Sequence, residues 1–467
     1  MPIIYNNRKT KRLQPGQKEG SGKGIKRAKK IIDEEISSDS DFDDDLAASK
    51  VHDVRDEQFE DIEEKAEREA KKLLKSLNIV TDAVEEPVVE EGALDVAKAI
   101  RSGTRYKDIA DSIQISKDRA ITYRPHRFAP LCIAPNAKGN IVYSCGKENT
   151  LVKYDTVNKK KLITVSAKSN PKFHKYGIQC LAVDPFGKYL ATGGSEGIIK
   201  IWNLETLEFV SNLLGHSAAV TSLVFRLGVE GQLFSGSEDR SIRYWDTKQM
   251  GYVDIMYGHT SLVGKIDVLH RPRILTCGTR DQSVRIFKVG EDSQLLFNPH
   301  VEAMSVDTVC FVDANTFVSG AIDGSISIWN IAKKKPVLIQ KNAHANGKFL
   351  GNEGAWITAI AAVPYSNLLV SGSNNGVINF WKLAKDNKKL NLIESYEVEG
   401  FVNDIKFSEN GDTAYFAVGK DHKLGRWSVI QTAKNHILVL PLKPIEQDES
   451  EEDDESEDGN STIELSD

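Results

Sequence analysis

A serine, an aspartate and a histidine stand close enough in this chain to suggest covalent chemistry. Ser235 and Asp239 are four residues apart, and His216 lies just upstream. A trio of these types on one surface is what a serine hydrolase uses: a hydroxyl nucleophile, an imidazole base and a carboxylate that orients the base. Two features argue against that chemistry here. The constellation recurs along the chain, for example at His259 and Asp281, and Ser235 does not stand at the serine of a GxSxG elbow that would expose a nucleophile. Recurrence points instead to buried hydrogen-bond networks that brace a repeated unit. Gly193-Gly194 is likewise a strand-to-turn element, because no GxxxxGK[ST] phosphate loop is present. The five cysteines, Cys132, Cys145, Cys180, Cys277 and Cys310, are dispersed in apolar stretches with no close CxxC pair. That pattern suits buried thiols in a reducing compartment better than disulfides or zinc. The residues thus predict no enzyme, no metal and no cofactor.

The elements that must position these residues form a repeat. Its clearest copy is Ser235-Gly236-Ser237-Glu238-Asp239-Arg240-Ser241-Ile242-Arg243-Tyr244-Trp245-Asp246. Aromatic residues matching Trp245 recur at Tyr154, Trp202, Phe287, Trp329, Trp381 and Trp427. Six residues before each aromatic stands a polar turn residue: Glu148, Glu196, Asp239, Asp281, Asp323, Asn375 and Asp421. Ten before stands a small residue: Ser144 or Cys145, then Thr192, Ser235, Thr276 or Cys277, Ser319, Ser371 and Ala417. A Gly-His pair opens two units at Gly215-His216 and Gly258-His259. It degrades to Pro125-His126, Pro299-His300 and Ala343-His344. Spacing near 40–45 residues plus loops is that of WD repeats. The fold class is therefore all-β, a seven-bladed WD-repeat β-propeller. Val220–Phe225, Leu233–Ser235 and Ile242–Trp245 have the patterning of half-buried strands. Four such strands cannot cover both their faces alone, and radial packing of seven sheets covers them. In WD repeats the turn acid accepts a hydrogen bond from the histidine, and the strand Ser or Thr steadies that histidine and meets the indole N–H. The expected sets are His216–Asp239–Ser235–Trp245 and His259–Asp281–Phe287, the second without an indole.

Ring closure has two candidates. Ala120 to His126 looks like an outer strand and histidine element with no inner strands before it. It is expected to complete the last blade, whose inner strands end at Trp427. His436 to Leu440 is the other candidate. One is expected to close the ring and the other to pack outside it, and the N-terminal strand is favoured.

The propeller spans 119–445. Residues 1–118 form a charged region, basic and then acidic, expected to be disordered apart from helical segments, and 446–467 form a disordered acidic tail. The net charge of −6 conceals this asymmetry. Residues 1–30 carry roughly +9, 31–64 roughly −13, and 446–467 roughly −12; 65–118 is near neutral, which leaves roughly +11 for 119–445. A basic body suits a polyanionic partner such as nucleic acid. Lys11-Arg12 and the cluster Lys26, Arg27, Lys29 and Lys30 resemble a bipartite nuclear localisation signal. Ser37, Ser38 and Ser40 lie among aspartates and look like sites for an acidophilic kinase. Phe59, Ile62, Ala66, Ala70, Leu73, Leu74 and Leu77 recur at helical spacing within 53–77, and 94–118 is a weaker helical candidate. No run of about 18 uncharged apolar residues exists, so no membrane span is expected. Nor does the N-terminal stretch resemble a secretory signal.

The last two repeats carry a more specific pattern. It comprises Gly400-Phe401-Val402-Asn403-Asp404-Ile405-Lys406-Phe407-Ser408, then Gly419-Lys420-Asp421-His422-Lys423-Leu424-Gly425-Arg426-Trp427, and Ala433 to Leu442. With Glu291 to Phe297, Val318 to Ala321, Asp323-Gly324-Ser325, Ala343-His344 and Ala355-Trp356-Ile357, these residues closely resemble the WD-repeat (55K) subunit family of the U3 small nucleolar ribonucleoprotein. The likeness covers roughly 119–442, and it departs in the first unit, where Tyr154 replaces Trp and Glu148 replaces Asp. The resemblance implies binding of U3 small nucleolar RNA at its box B/C region, beside the small kink-turn-binding protein of the particle. It also implies a nucleolar place in the small-subunit processome and in early processing of 18S pre-ribosomal RNA. No small-molecule substrate and no membrane partner are expected.

The end of the propeller that carries the histidines and turn acids collects Lys147, Arg240, Arg280, Lys420, His422 and Lys423. The long connection 341–355 adds Lys341, Lys348 and Phe349 there. This rim is the expected contact surface, with cations on phosphates and Phe349 or His422 stacking on an unpaired base. Arg426, in the family run, is a further candidate. The opposite end has its own basic residues, His270, Arg271, Arg273 and Lys159-Lys160-Lys161. The alternative function is a nuclear protein scaffold with no direct RNA contact.

Overall fold

The computed structural model describes residues 119–299, 305–344, 355–423 and 428–442, together with residue 425 and scattered positions between 100 and 115. Among them the strands make seven antiparallel sheets of four strands each. Blade 3 is typical: Val220–Phe225, Gln232–Ser237, Ser241–Asp246 and Gly251–Tyr257 follow one another from the inside outward. The innermost strands touch their neighbours in cyclic order, and Phe401–Phe407 of blade 7 returns to Pro130–Pro135 of blade 1. The propeller is closed.

The core lies between blades, so close approach of neighbouring sheets matters. Two second-strand glycines permit it. A Cβ on Gly236 would stand 2.8 Å from Val263 of blade 4, and one on Gly372 would stand 2.5 Å from Val402 of blade 7. Each inner strand also shifts register against its second strand near its first residues, as between Val220 and Ser222 in blade 3 and between Ile357 and Ala359 in blade 6. A bulge re-aims one side chain. In blades 3, 6 and 7 it points the extra residue at the next blade. Thr221 donates to the Val263 carbonyl (2.6 Å), Thr358 to the Val402 carbonyl (2.5 Å), and Asn403 to the Pro130 carbonyl (3.0 Å). These bonds stitch blade 3 to 4, blade 6 to 7 and blade 7 to 1.

Closure corrects the two-candidate expectation. Both candidate strands belong to blade 7, whose order from outside inward is Ile121–Tyr123, His436–Pro441, Thr413–Gly419 and Phe401–Phe407. The favoured N-terminal strand is the outermost one, but His436–Pro441 is not packed outside the ring; it is the third strand. The repeat spacing through Trp427 therefore does not mark that strand. Leu440 pairs with Ala414 as Trp245 pairs with Leu233, so a leucine stands at the tryptophan position. Interleaving strands from both ends of the domain joins the ring by a hydrogen-bonded sheet. Tyr123 adds a ring stacked on Tyr154 of blade 1, with centroids 3.8 Å apart.

A segment assigned from sequence to the N-terminal region, and offered as a helix over 94–118, is docked instead. Ile100 and Ser102 are helical, but from residue 105 the chain runs as turns and bridges along the end of the blades opposite the histidines. Arg105 pairs with Asp313 (3.2 Å) and donates to the Ala384 carbonyl. The Lys107 amide donates to Tyr365, and the Ala110 amide donates to Asn367. Ile109, Ala110, Ile113 and Ile115 pack on the apolar core of blades 6 and 7. The candidate helix at 53–77, the basic clusters, the serine-acid stretch and the acidic tail lie outside the described residues. No helix among the described residues is long and apolar enough to cross a membrane.

Candidate interaction face

The polar networks form at one end of the blades. In blade 3, His216 Nδ1 lies 2.8 Å from Asp239, and its Nε2 lies 2.7 Å from Ser235 Oγ. The Trp245 indole N–H donates to the same Oγ at 2.8 Å. The order of donors fixes the tautomer. Indole N–H donates to the hydroxyl, hydroxyl O–H donates to Nε2, and Nδ1–H donates to the carboxylate. Burial lowers the pKa of His216 despite the facing Asp239, so the ring is neutral. Burial works to raise the Asp239 carboxyl, but hydrogen bonds from Ser241 and His216 outweigh it and hold the group at about 2. Ser235 is completely buried beneath the indole. A hydroxyl sealed in this way cannot meet a substrate, so the network is structural.

The same device recurs with substitutions. His259 meets Asp281 (2.9 Å) and Thr276 (2.7 Å) beside Phe287, as expected for a set without an indole. His126 meets Glu148 (2.9 Å) and Ser144 (2.9 Å). In blade 6, His344 meets Ser371 (2.7 Å), which also accepts from Trp381, and burial pushes the imidazole down to about 3. One complete set is not foreseen by the Gly-His pattern: His174–Glu196–Thr192–Trp202, with bonds of 2.8, 2.8 and 2.9 Å. Phe173 precedes that histidine instead of Gly or Pro. The signal that finds it is distance along the chain, since histidine and turn acid stand 22 residues apart at His126, His174 and His259. His300 lies outside the described residues.

The expected rim residues divide into three groups. Arg240 and Arg280 are exposed on the turns between second and third strands, Arg240 with a positive φ of 69°. Lys341 is exposed at the end of blade 5, and Lys420 and Lys423 are half-buried, their backbone amides held by Asn435 and Asn403. Lys147 and His422 turn inward, which corrects their assignment to the solvent rim. Lys147 Nζ bridges blades 1 and 7 by pairing with Asp421 (2.5 Å) and donating to the His422 carbonyl (2.6 Å). His422 is buried between the rings of Trp356 and Phe401, and burial pushes it down to about 3. In this arrangement its ring face is occupied and does not offer a stacking surface. Lys348, Phe349 and Arg426 lie outside the described residues. At the opposite end, Lys159, Lys160 and Lys161 are exposed, whereas His270, Arg271 and Arg273 are half-buried.

Seven closed blades braced by sealed hydroxyl networks define a WD-repeat propeller. Comparison with known proteins agrees and narrows the class. The WD domain, G-beta repeat model matches residues 168–203, 207–246, 293–330 and 345–382. The human U3 small nucleolar RNA-interacting protein 2 is 32% identical over 350 residues, 73% of this chain and 73% of that protein. A U3 snoRNP-associated protein-like relative from Arabidopsis thaliana is 34% identical over 270 residues; the match spans 56% of each chain, a little over half the relative's length. Ribosomal RNA-processing protein 9 of Saccharomyces cerevisiae is 28% identical, with 64% of this chain and 67% of that protein covered. The solved structure of U3-55K superposes with a TM-score of 0.67 at 32% identity, covering 70% of this chain and all of that one. The chain belongs to the family of U3 small nucleolar RNA-interacting protein 2.

Proposed function

We propose that this chain is an RNA-binding assembly subunit of the U3 small nucleolar ribonucleoprotein. In this reading it acts in the nucleolus, within the small-subunit processome, in processing of 18S pre-ribosomal RNA. Family membership carries the proposal, because the relatives' names join U3 RNA to ribosomal RNA processing. The partner on the RNA is its box B/C region, and the neighbouring protein is the small kink-turn-binding subunit. Arg240, Arg280 and Lys423, with Lys341 and Lys420, supply the cations for phosphate contact. Lys348, Phe349 and Arg426 remain candidates from the sequence, and the basic clusters at Lys11-Arg12 and Lys26 to Lys30 remain candidates for nuclear import.

Reversing the charge of Arg240, Arg280 and Lys423 tests this. Each lost phosphate contact lowers the slope of log affinity against log salt by roughly one. The expected result is at least tenfold weaker binding of U3 box B/C RNA with a shallower salt dependence. Unchanged affinity would refute the rim. Binding to the particle that resists both ribonuclease and salt would favour a protein scaffold without RNA contact.

A further inference from the structure

At four consecutive junctions on the histidine-bearing face, three connections and the last residue of the strand Gly251–Tyr257, one large apolar side chain is exposed. These side chains are Phe128 (42% exposed), Tyr176 (66%), Leu214 (65%) and Tyr257 (66%). Each lies two residues from a network histidine: Phe128 after His126, Tyr176 after His174, Leu214 before His216 and Tyr257 before His259. Those histidines are anchored to a turn acid and a strand hydroxyl, so the exposed neighbours sit on braced backbone. They form an arc over the junctions that lead into blades 1 to 4, one per junction.

Exposed aromatic side chains in a row mark a contact surface. The charge around them names the partner. Arg127, Lys172, Lys175, Arg240 and Arg280 are all exposed on the same connections and turns. The turn acids Glu148, Glu196, Asp239 and Asp281 are engaged by the histidines, leaving Glu238 as the exposed acid among these segments. The arc is therefore positive, with planar rings spaced between cations. Arg127 already stands over the Phe128 ring at 5.7 Å. Rings that accept any flat face, interleaved with phosphate-neutralising cations, are what an unpaired nucleic-acid strand requires.

We infer that Phe128, Tyr176 and Tyr257 form a stacking platform for a single-stranded segment of RNA, with Leu214 as an apolar contact between them. This rests on the RNA-binding reading above and deepens it. It adds a second mode of contact to the charged rim, one that salt does not screen, and it places that contact on blades 1 to 4.

The test uses the full chain in nuclear extract with thiouridine-substituted U3 RNA. Photo-crosslinking followed by mass spectrometry is expected to attach uridines to peptides containing Phe128, Tyr176 or Tyr257. The triple variant Phe128→Ser, Tyr176→Ser, Tyr257→Ser changes exposed residues, and an unaltered melting temperature shows that it folds. It is expected to bind U3 RNA at least tenfold more weakly at every salt concentration, with the salt slope unchanged. Triple-variant binding within twofold of wild type overturns the platform while leaving the RNA reading intact. Wild-type protein that binds no U3 RNA overturns both. A triple variant that keeps the RNA but loses a protein of the particle assigns the arc to a protein partner, which also overturns the platform.

Discussion

Blades 3 and 7 build the same four-stranded sheet from different chemistry. Blade 3 buries a chain of polar groups in the order Trp245, Ser235, His216 and Asp239, each hydrogen-bonded to the next. Blade 7 puts Phe416 where blade 3 has Ser235 and Leu440 where it has Trp245, and both are buried. An apolar pair fills that volume without an obligation to pair donors. What blade 7 lacks in local bracing it gains from distant segments. Its outermost strand comes from Ile121–Tyr123, its turn is held by Lys147 of blade 1, and Ile109, Ala110, Ile113 and Ile115 pack on its core. The polar network is thus a register device for a blade made from consecutive strands. A blade whose register is set by strands from both ends of the domain can dispense with it.

Three experiments probe this contrast. Removing residues 1–123 deletes the closing strand and the docked segment together. The lost side chains include Ile115 and Tyr123, which are buried, and Ile109 and Ile121, which are partly buried. Full burial of one such side chain is worth roughly 1.5–3 kcal/mol, a large share of the ~5–15 kcal/mol stability of a typical domain. The expected result is loss of cooperative unfolding, whereas removal of residues 1–98 should leave the melting temperature within a few degrees. In blade 3, Ser235→Ala strands the buried indole N–H and imidazole nitrogen. Denaturant titration is expected to show a loss of about 2–4 kcal/mol. The third effect is acid sensitivity. His174 is held down at about 4 and His344 at about 3, by burial in both cases, so unfolding takes up protons below the ordinary histidine range. Their folded values lie below the unfolded one, so the stability is complete above pH ~6.5 and is lost as pH falls. Each such histidine contributes a slope of about 1 kcal/mol per pH unit there. A His344→Gln variant should flatten the denaturation midpoint against pH between about 6.5 and 4, where the wild type declines.

Much of this was legible in the chain because a repeated unit repeats its chemistry. Serine or threonine, turn acid and aromatic at fixed offsets located the strands, and the blade 3 and blade 4 networks formed as expected. Blade 7 misled because Ala417, Asp421 and Trp427 keep the spacing of the repeat, while the third strand begins only at His436. A turn signature identifies a turn, but the partner of a strand is decided by burial. Lys147 and His422 misled for a related reason. Charge and motif select residues, whereas exposure depends on neighbours far along the chain, here Asp421 for Lys147, and Trp356 and Phe401 for His422. The exposed arc from Phe128 to Tyr257 was hidden in the same way. Within the sequence those residues resemble any other apolar position beside a strand.

The decisive experiment is to recover a tagged full-length chain from nuclear extract after ultraviolet crosslinking and to sequence the attached RNA. U3 small nucleolar RNA is expected to dominate, with crosslinks concentrated near its box B/C region. A purified particle that contains this chain but no U3 RNA would overturn the assignment.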